Sequence, residues 1–187
     1  MASIFMSFIH EEETVAKLVN DYIRIIIGLN IDTFMSSNET AIYAGEDWMK
    51  RICEELKTAK VLVSMLSPTS VQRPWINFEA GAAWMQNTKV IPVCFGGLTI
   101  DGLPKPYSIL QAVEIETHQG AHYLFNSIAH HLGITLLKMP IFSDDLPSYW
   151  SDADKKENKL FVSKYKSLNL FLKIAWKNIQ SNRNPSS

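Results

Sequence analysis

The run Val61-Leu62-Val63-Ser64-Met65-Leu66 contains a single polar residue. A strand with one solvated face alternates apolar and polar side chains, whereas a near-continuous apolar run belongs to a strand covered on both faces, as in a parallel sheet. Parallel neighbours cannot be joined by a tight hairpin and need a crossover, normally a helix. The flanking sequence supplies such crossovers. Residues 3–9 read as a first buried strand, and Val15, Leu18, Val19, Tyr22, Ile23 and Ile26 then recur at helical spacing up to Gly28. Residues 30–35 read as a second strand and residues 36–45 as a polar loop. Trp48, Met49, Ile52, Cys53 and Leu56 form the stripe of a second helix, opened by Glu46 and Asp47 at its positive end. Pro74 opens a third helix, where its missing N–H costs little.

Residues 90–95 form another strand, but Pro92 removes a ladder donor and puts that strand towards an edge. The Gly96–Gly97 pair reads as a turn within a Gly/Pro-rich loop, residues 112–116 as a short edge strand, and residues 121–132 as a helix. Strands alternating with helices predict a five-stranded parallel sheet with helices on both faces, a flavodoxin-like α/β fold. Ligands in such sheets bind beyond the carboxyl ends of the strands, where strand order reverses. A flavodoxin-like order puts that point between the first and third strands. Glu79 lies on the helix that begins directly after the loop leaving the third strand.

The 187 residues fit one domain with an appendage. Residues 1–140 are read as the domain, and residues 141–187 as a linker plus a C-terminal helix. In that helix Phe161, Tyr165, Leu168, Leu172, Ala175 and Ile179 trace one apolar stripe, expected to pack on the domain or on a second copy. A formal net charge of −1, without a large block of one sign, argues against nucleic-acid binding, which needs a basic face. Lys164, Lys166 and Lys173 interrupt the longest apolar stretch, so no membrane span is expected. Cys53 and Cys94 sit in apolar stretches and suit a reducing cytoplasm, and no basic, apolar secretory leader opens the chain.

Several familiar chemistries lack their residues. His130 and His131 are adjacent on a helix and have no thiol or carboxylate at metal-ligand spacing, so no metal and no bound cofactor is expected. Neither cysteine has a histidine in a nucleophile motif. No G-x-S-x-G, P-loop or G-x-G-x-x-G segment occurs.

The segment V-L-V-S-M-L-S-P-T-S-V-Q-R-P-W-I-N-F-E-A-G-A-A-W, residues 61–84, resembles the Toll/interleukin-1 receptor (TIR) family in its bacterial, stand-alone branch. Trp75 and Glu79 fall on that family's W-x-x-x-E pattern. The opening I-F-M-S-F resembles its first strand and Ala44-Gly45-Glu46-Asp47-Trp48 the end of its BB loop, and Ile91-Pro92-Val93 also fits the family. The tail beyond Ile141 has no part in the likeness. The resemblance implies the TIR fold and cleavage of NAD⁺ to nicotinamide and ADP-ribose or a cyclic isomer, with NAD⁺ as substrate rather than cofactor. It also implies self-association through TIR–TIR contacts and, as in Thoeris anti-phage systems, a product that signals to a downstream effector.

On this likeness Glu79 is the catalytic carboxylate. Ser7, Phe8, Ile9 and His10 after the first strand, Ser36 and Ser37 in the BB loop, and Trp75 are the substrate-binding candidates. Nicotinamide in NAD⁺ is already a cationic leaving group, so its departure needs no general acid, unlike ordinary glycoside hydrolysis. One fixed carboxylate that stabilises charge developing on the ribose suffices. Trp75 lies one helical turn before Glu79 and shares its face.

Each residue also has a plain structural reading. A helical glutamate is usually solvated, Trp75 and Trp48 are ordinary packing residues, Ser7 can merely fill a strand end, and Ser36 and Ser37 can be bland loop residues. Two other functions compete: a non-catalytic TIR scaffold or host-adaptor mimic, and a nucleoside deoxyribosyltransferase. The carboxylate in W-x-x-x-E argues against the scaffold, and the BB-loop-like segment argues against the transferase.

Overall fold

The computed structural model describes residues 3–28, 30–36, 48–134, 136 and 152–183. Five strands form one parallel sheet: β1 (Ser3–Ser7), β2 (Asp32–Met35), β3 (Val61–Leu66), β4 (Lys89–Cys94) and β5 (Val113–Glu114). Their order is β2-β1-β3-β4-β5, so the direction of winding reverses between β1 and β3, as the flavodoxin-like reading requires. Helices α1 (Glu13–Ile27), α2 (Trp48–Thr58), α3 (Pro74–Met85) and α4 (His118–Leu132) make the crossovers, and α5 (Asp152–Arg183) follows. Every residue of β3 is buried, which is why that segment carries no alternation.

Pro92 has a local explanation. Lys89 N–H and Phe95 N–H donate to Lys60 and Leu66 on the β3 side, so alternate residues, Pro92 among them, turn their backbone towards β5. The two-residue β5 pairs only with Val93 and Cys94. Among the described residues nothing pairs with Pro92 on that side, although β4 is second from the end of the sheet, and no ladder bond is lost. The first strand is shorter than residues 3–9. Phe8 and Ile9 leave the sheet and drop into the core on opposite sides, Phe8 with α1 and α4, Ile9 with Leu66, Val71 and Ile76.

Caps end the helices where the chain must turn. Gly133 at φ 73° closes α4, its N–H reaching Ala129 and His130 oxygens, and only glycine takes that left-handed conformation without steric cost. At α4's start, Thr117 accepts from the Gly120 N–H. Along α5, Tyr165, Leu168, Leu172 and Ala175 are buried in the core that α1 contributes to. Asn169 Nδ2 and the Tyr165 hydroxyl both donate to the Glu116 carbonyl, at 2.7 and 3.2 Å. Trp176 stands edge-on to Phe95 and packs so closely on Gly96 that a Cβ there would collide with its ring. The proposed linker before α5 lies largely outside the described residues. Among the described residues no helix is long and apolar enough to cross a membrane.

Candidate active site

Helix α3 buries Ile76, Glu79, Ala80 and Ala83, the i, i+3, i+4, i+7 set that makes one face of a helix. Glu79 is thus a carboxylate in a position the helix otherwise fills with apolar side chains. It has 0% relative exposure. The face it occupies packs on β1, β3 and β4, and Glu79 reaches the carboxyl end of β1, beside the reversal of winding.

Both oxygens are held. Ser7, the last residue of β1, donates its hydroxyl to Oε2 at 2.5 Å. Trp75 Nε1–H donates to Oε1 at 3.0 Å from one turn earlier on α3. Ser36, buried at the exit of β2, lies close enough to favour the ionised carboxylate. Its Oγ accepts from the Phe8 N–H at 3.4 Å, and its N–H reaches the Met6 carbonyl at 3.0 Å. Burial pushes the Glu79 carboxyl up from its ordinary 4.5 to about 7; the hydrogen bonds from Ser7 and Trp75, and the Ser36 hydroxyl nearby, pull the other way and only partly offset it.

An aromatic stack leads outward from the carboxylate. Trp75 lies against Trp48 at 4.3 Å between ring centroids and against Phe78 at 5.0 Å, and Phe78 is partly exposed. Trp48 Nε1 is buried without a hydrogen-bond partner among the described residues, an unusual state for an indole N–H. Beneath α3, the Tyr107 hydroxyl donates to the Ile76 carbonyl at 2.9 Å and lies 3.1 Å from Ser64 Oγ. Burial pushes that phenol up to about 12, so it remains a donor.

A second buried carboxylate lies between the segments that follow β1 and β3. Glu12, just before α1, accepts from the Ser67 hydroxyl at 2.6 Å. Ser67 Oγ in turn accepts from the Thr69 and Ser70 N–H groups, and the Ser67 N–H donates to Ser70 Oγ.

The sequence-derived candidates divide accordingly. Ser7, Ser36, Trp75 and Glu79 come together in one cluster. Phe8 and Ile9 spend their side chains in the core, which leaves their backbone as the part that could face a ligand. His10 is exposed on the short turn after β1. Ser37 and residues 44–47 lie outside the described residues. Tyr107, Glu12 and Ser67 escaped the sequence reading. Glu12 is the middle of Glu11-Glu12-Glu13 and looks like a solvated face, and Tyr107 lies 31 residues from its acceptor. Glu79 did carry a further signal, its place within the Ile76–Ala80–Ala83 stripe.

The TIR domain family matches residues 4–124, and the chain belongs to it. That match spans the whole sheet and the cluster around Glu79 and ends within α4. The stimulator of interferon genes protein of Magallana gigas is 27% identical over 96 residues, covering 46% of this chain and 23% of that protein. Among solved structures, a metazoan TIR-STING receptor from C. gigas aligns with a TM-score of 0.51 at 18% identity, over 72% of this chain and 40% of the receptor. The same receptor in complex with 2',3'-cGAMP aligns with a TM-score of 0.53 at 21% identity, over the same shares. These likenesses establish a shared fold. The chain spans less than half the length of these relatives.

Proposed function

We propose that this TIR domain cleaves the nicotinamide–ribose bond of NAD⁺, with Glu79 as the catalytic carboxylate. The observation that carries the reading is a fully buried carboxylate with a donor on each oxygen, beyond the carboxyl end of β1 where the sheet reverses its winding. Burying a carboxylate costs free energy unless it is fully hydrogen-bonded, and an apolar residue would complete the α3 stripe at no such cost.

In the reaction the C–N bond breaks and its electron pair leaves with nicotinamide, which departs neutral. Positive charge develops on the ribose, and the Glu79 carboxylate stabilises it from a preorganised position. An acceptor then adds to the anomeric carbon and loses its proton. Water gives ADP-ribose, and a nucleophile within the same molecule gives a cyclic isomer. Ser7, Ser36 and Trp75 orient the carboxylate before substrate arrives, and Phe8, Ile9, His10 and Ser37 are the remaining candidates around the nucleotide.

The wider role in this reading is cytoplasmic anti-phage signalling of the Thoeris kind, by a stand-alone TIR domain over residues 1–140 with residues 141–187 as its appendage. The product acts on a downstream effector, and activity depends on self-association, with no part for nucleic acid or membrane. The open β4 edge offers a surface for that association: a groove of about 310 Å³ lined by Val90, Ile91, Tyr123 and Trp84, with Trp84 and Tyr123 about half exposed. One observation favours a second reading, a non-catalytic TIR scaffold. With both oxygens engaged and 0% exposure, Glu79 is closed to any ligand in this conformation.

Incubation of the purified protein with NAD⁺, with products identified by mass spectrometry, separates the two. Release of nicotinamide that Glu79→Gln abolishes supports the enzyme. An intact NAD⁺ pool at high protein concentration supports the scaffold.

A further inference from the structure

Two serine–carboxylate bridges cross between the ends of β1 and β3 in opposite senses. In one the serine comes from the β1 side and the carboxylate from α3: Ser7 donates to Glu79. In the other the carboxylate follows β1 and the serine follows β3: Ser67 donates to Glu12 at 2.6 Å. Glu12 and Ser67 are both fully buried, so no solvent competes for the second bridge. An ion pair between Glu11 and Arg73, 2.9 Å and exposed, joins the same two loops at the surface.

The buried bridge reaches α3 through a short path. Ser67 Oγ accepts from the Thr69 and Ser70 N–H groups, which sets the entry to the 3₁₀ turn Ser70–Gln72. Arg73 ends that turn with its N–H on the Ser70 carbonyl and is also the N-cap residue of α3. Two residues later comes Trp75, and one helical turn further Glu79. Any drift of Ser67 relative to Glu12 therefore moves the first turn of α3 against the end of β1, where Ser7 meets Glu79.

We infer that Glu12 is a positioning residue: through Ser67 it holds the β3–α3 loop so that Trp75 and Glu79 stay in register with Ser7. The inference rests on the reading of Glu79 as the catalytic carboxylate. Glu12 acts on the site through Ser67, from whose hydroxyl it accepts at 2.6 Å. Its role is to keep the first turn of α3 and the end of β1 in place around the carboxylate that Ser7 and Trp75 hold.

The test compares Ser67→Ala, Glu12→Ala, Glu12→Gln and the Glu12→Ala/Ser67→Ala double variant with the full chain. Two readouts are used: kcat/KM for NAD⁺, and the pH titration of Trp75 fluorescence, isolated by subtracting a matched Trp75→Phe series. Trp75 reports on Glu79 through its own hydrogen bond, with or without turnover. Expected is a loss in kcat/KM of about tenfold in each alanine variant, with the double variant no worse than either single, as for two residues of one coupled pair. The Trp75 titration moves to higher pH in both, as Glu79 loses well-placed donors. Glu12→Gln stays close to wild type, because its Oε1 still accepts from Ser67, a rescue that loss of mere bulk would not produce. Wild-type kinetics and titration in Ser67→Ala, or additive losses in the double variant, would overturn the inference. Ser67→Ala removes one oxygen and carries the decision if Glu12→Ala fails to fold. A wild-type protein inactive on NAD⁺ would sink the enzyme reading alone, and the Trp75 titration would still decide this one.

Discussion

The hydroxyl of Ser7 meets Oε2 of Glu79 at 2.5 Å across a sequence separation of 72 residues, joining the end of the first strand to the middle of the third helix. With Trp75 on the other oxygen, the carboxylate is fixed in orientation before any ligand arrives. Its burial makes it a weak acid, and its partners make it a well-aimed one. The chemical consequences can be measured separately.

Glu79→Gln keeps the shape and removes the charge. Its Oε1 can take the Trp75 N–H while its amide donates to Ser7, so the fold should survive. NAD⁺ cleavage should drop by at least the roughly 10²-fold that follows loss of a transition-state electrostatic contact. Steady-state kinetics check this, and cleavage at the wild-type rate would remove Glu79 from the mechanism.

The same variant should be more stable than wild type in alkaline solution. The Glu79 carboxyl titrates near its ordinary 4.5 when unfolded and at about 7 when folded, so the folded state binds the proton more tightly. Wild-type stability therefore falls as pH rises from 4.5 to 7, by at most about 3 kcal/mol for a shift of this size. Thermal unfolding should give a higher Tm for Glu79→Gln at pH 8 and a shrinking difference towards pH 5. A constant difference across that range would mean that Glu79 is not buried as described.

Activity should rise with pH through about 7, because the reaction needs the ionised carboxylate. Ser7→Ala removes the hydrogen bond that most lowers this value, so its acid limb should lie at higher pH. At pH 7 the variant should be markedly slower, and by pH 9 much of the loss should be recovered. A Ser7→Ala profile that parallels wild type at every pH would assign the serine to packing.

Specific activity should rise with protein concentration, and Trp84→Glu at the rim of the open β4 edge should flatten that rise. The motivation is an exposed tryptophan beside a strand edge that β5 leaves unpaired. Sedimentation velocity alongside the assay tests it; a flat specific activity from dilute to concentrated wild-type samples would count against assembly.

Helix α5 should contribute to the stability of the domain. Leu168 is fully buried against the core, and Leu168→Ala should cost about 2–5 kcal/mol, the range for buried leucines. Chemical denaturation measures it. A cost below about 0.5 kcal/mol would match a surface substitution and make α5 a loosely attached tail.

Much of the architecture was legible in the sequence because it is written in short-range periodicity. The unbroken apolar run of β3, the stripe of α1 and the proline at the start of α3 each depend on neighbours within a few residues, and each marks its element. W-x-x-x-E was legible for the same reason: four positions apart on a helix means one face. The placement of Pro92 was only half legible. Its missing N–H pointed to an edge, but only the two-residue length of β5 shows how a strand second from the end can have one.

What the tertiary structure alone decided is which polar groups are buried and with whom. Glu11, Glu12 and Glu13 are identical in type and adjacent in sequence. Glu12 is buried against Ser67, Glu11 pairs with Arg73 at the surface, and Glu13 pairs with Lys17 along α1. Ser7 and Ser36 look like any strand-end serines until β1 and β2 are set side by side next to α3. The direction of the Glu79 shift likewise comes from desolvation, a property of the assembled core rather than of the residue. Local pattern sets the elements; long-range packing sets the dielectric and the partners, and these turn a helical glutamate into a preorganised carboxylate.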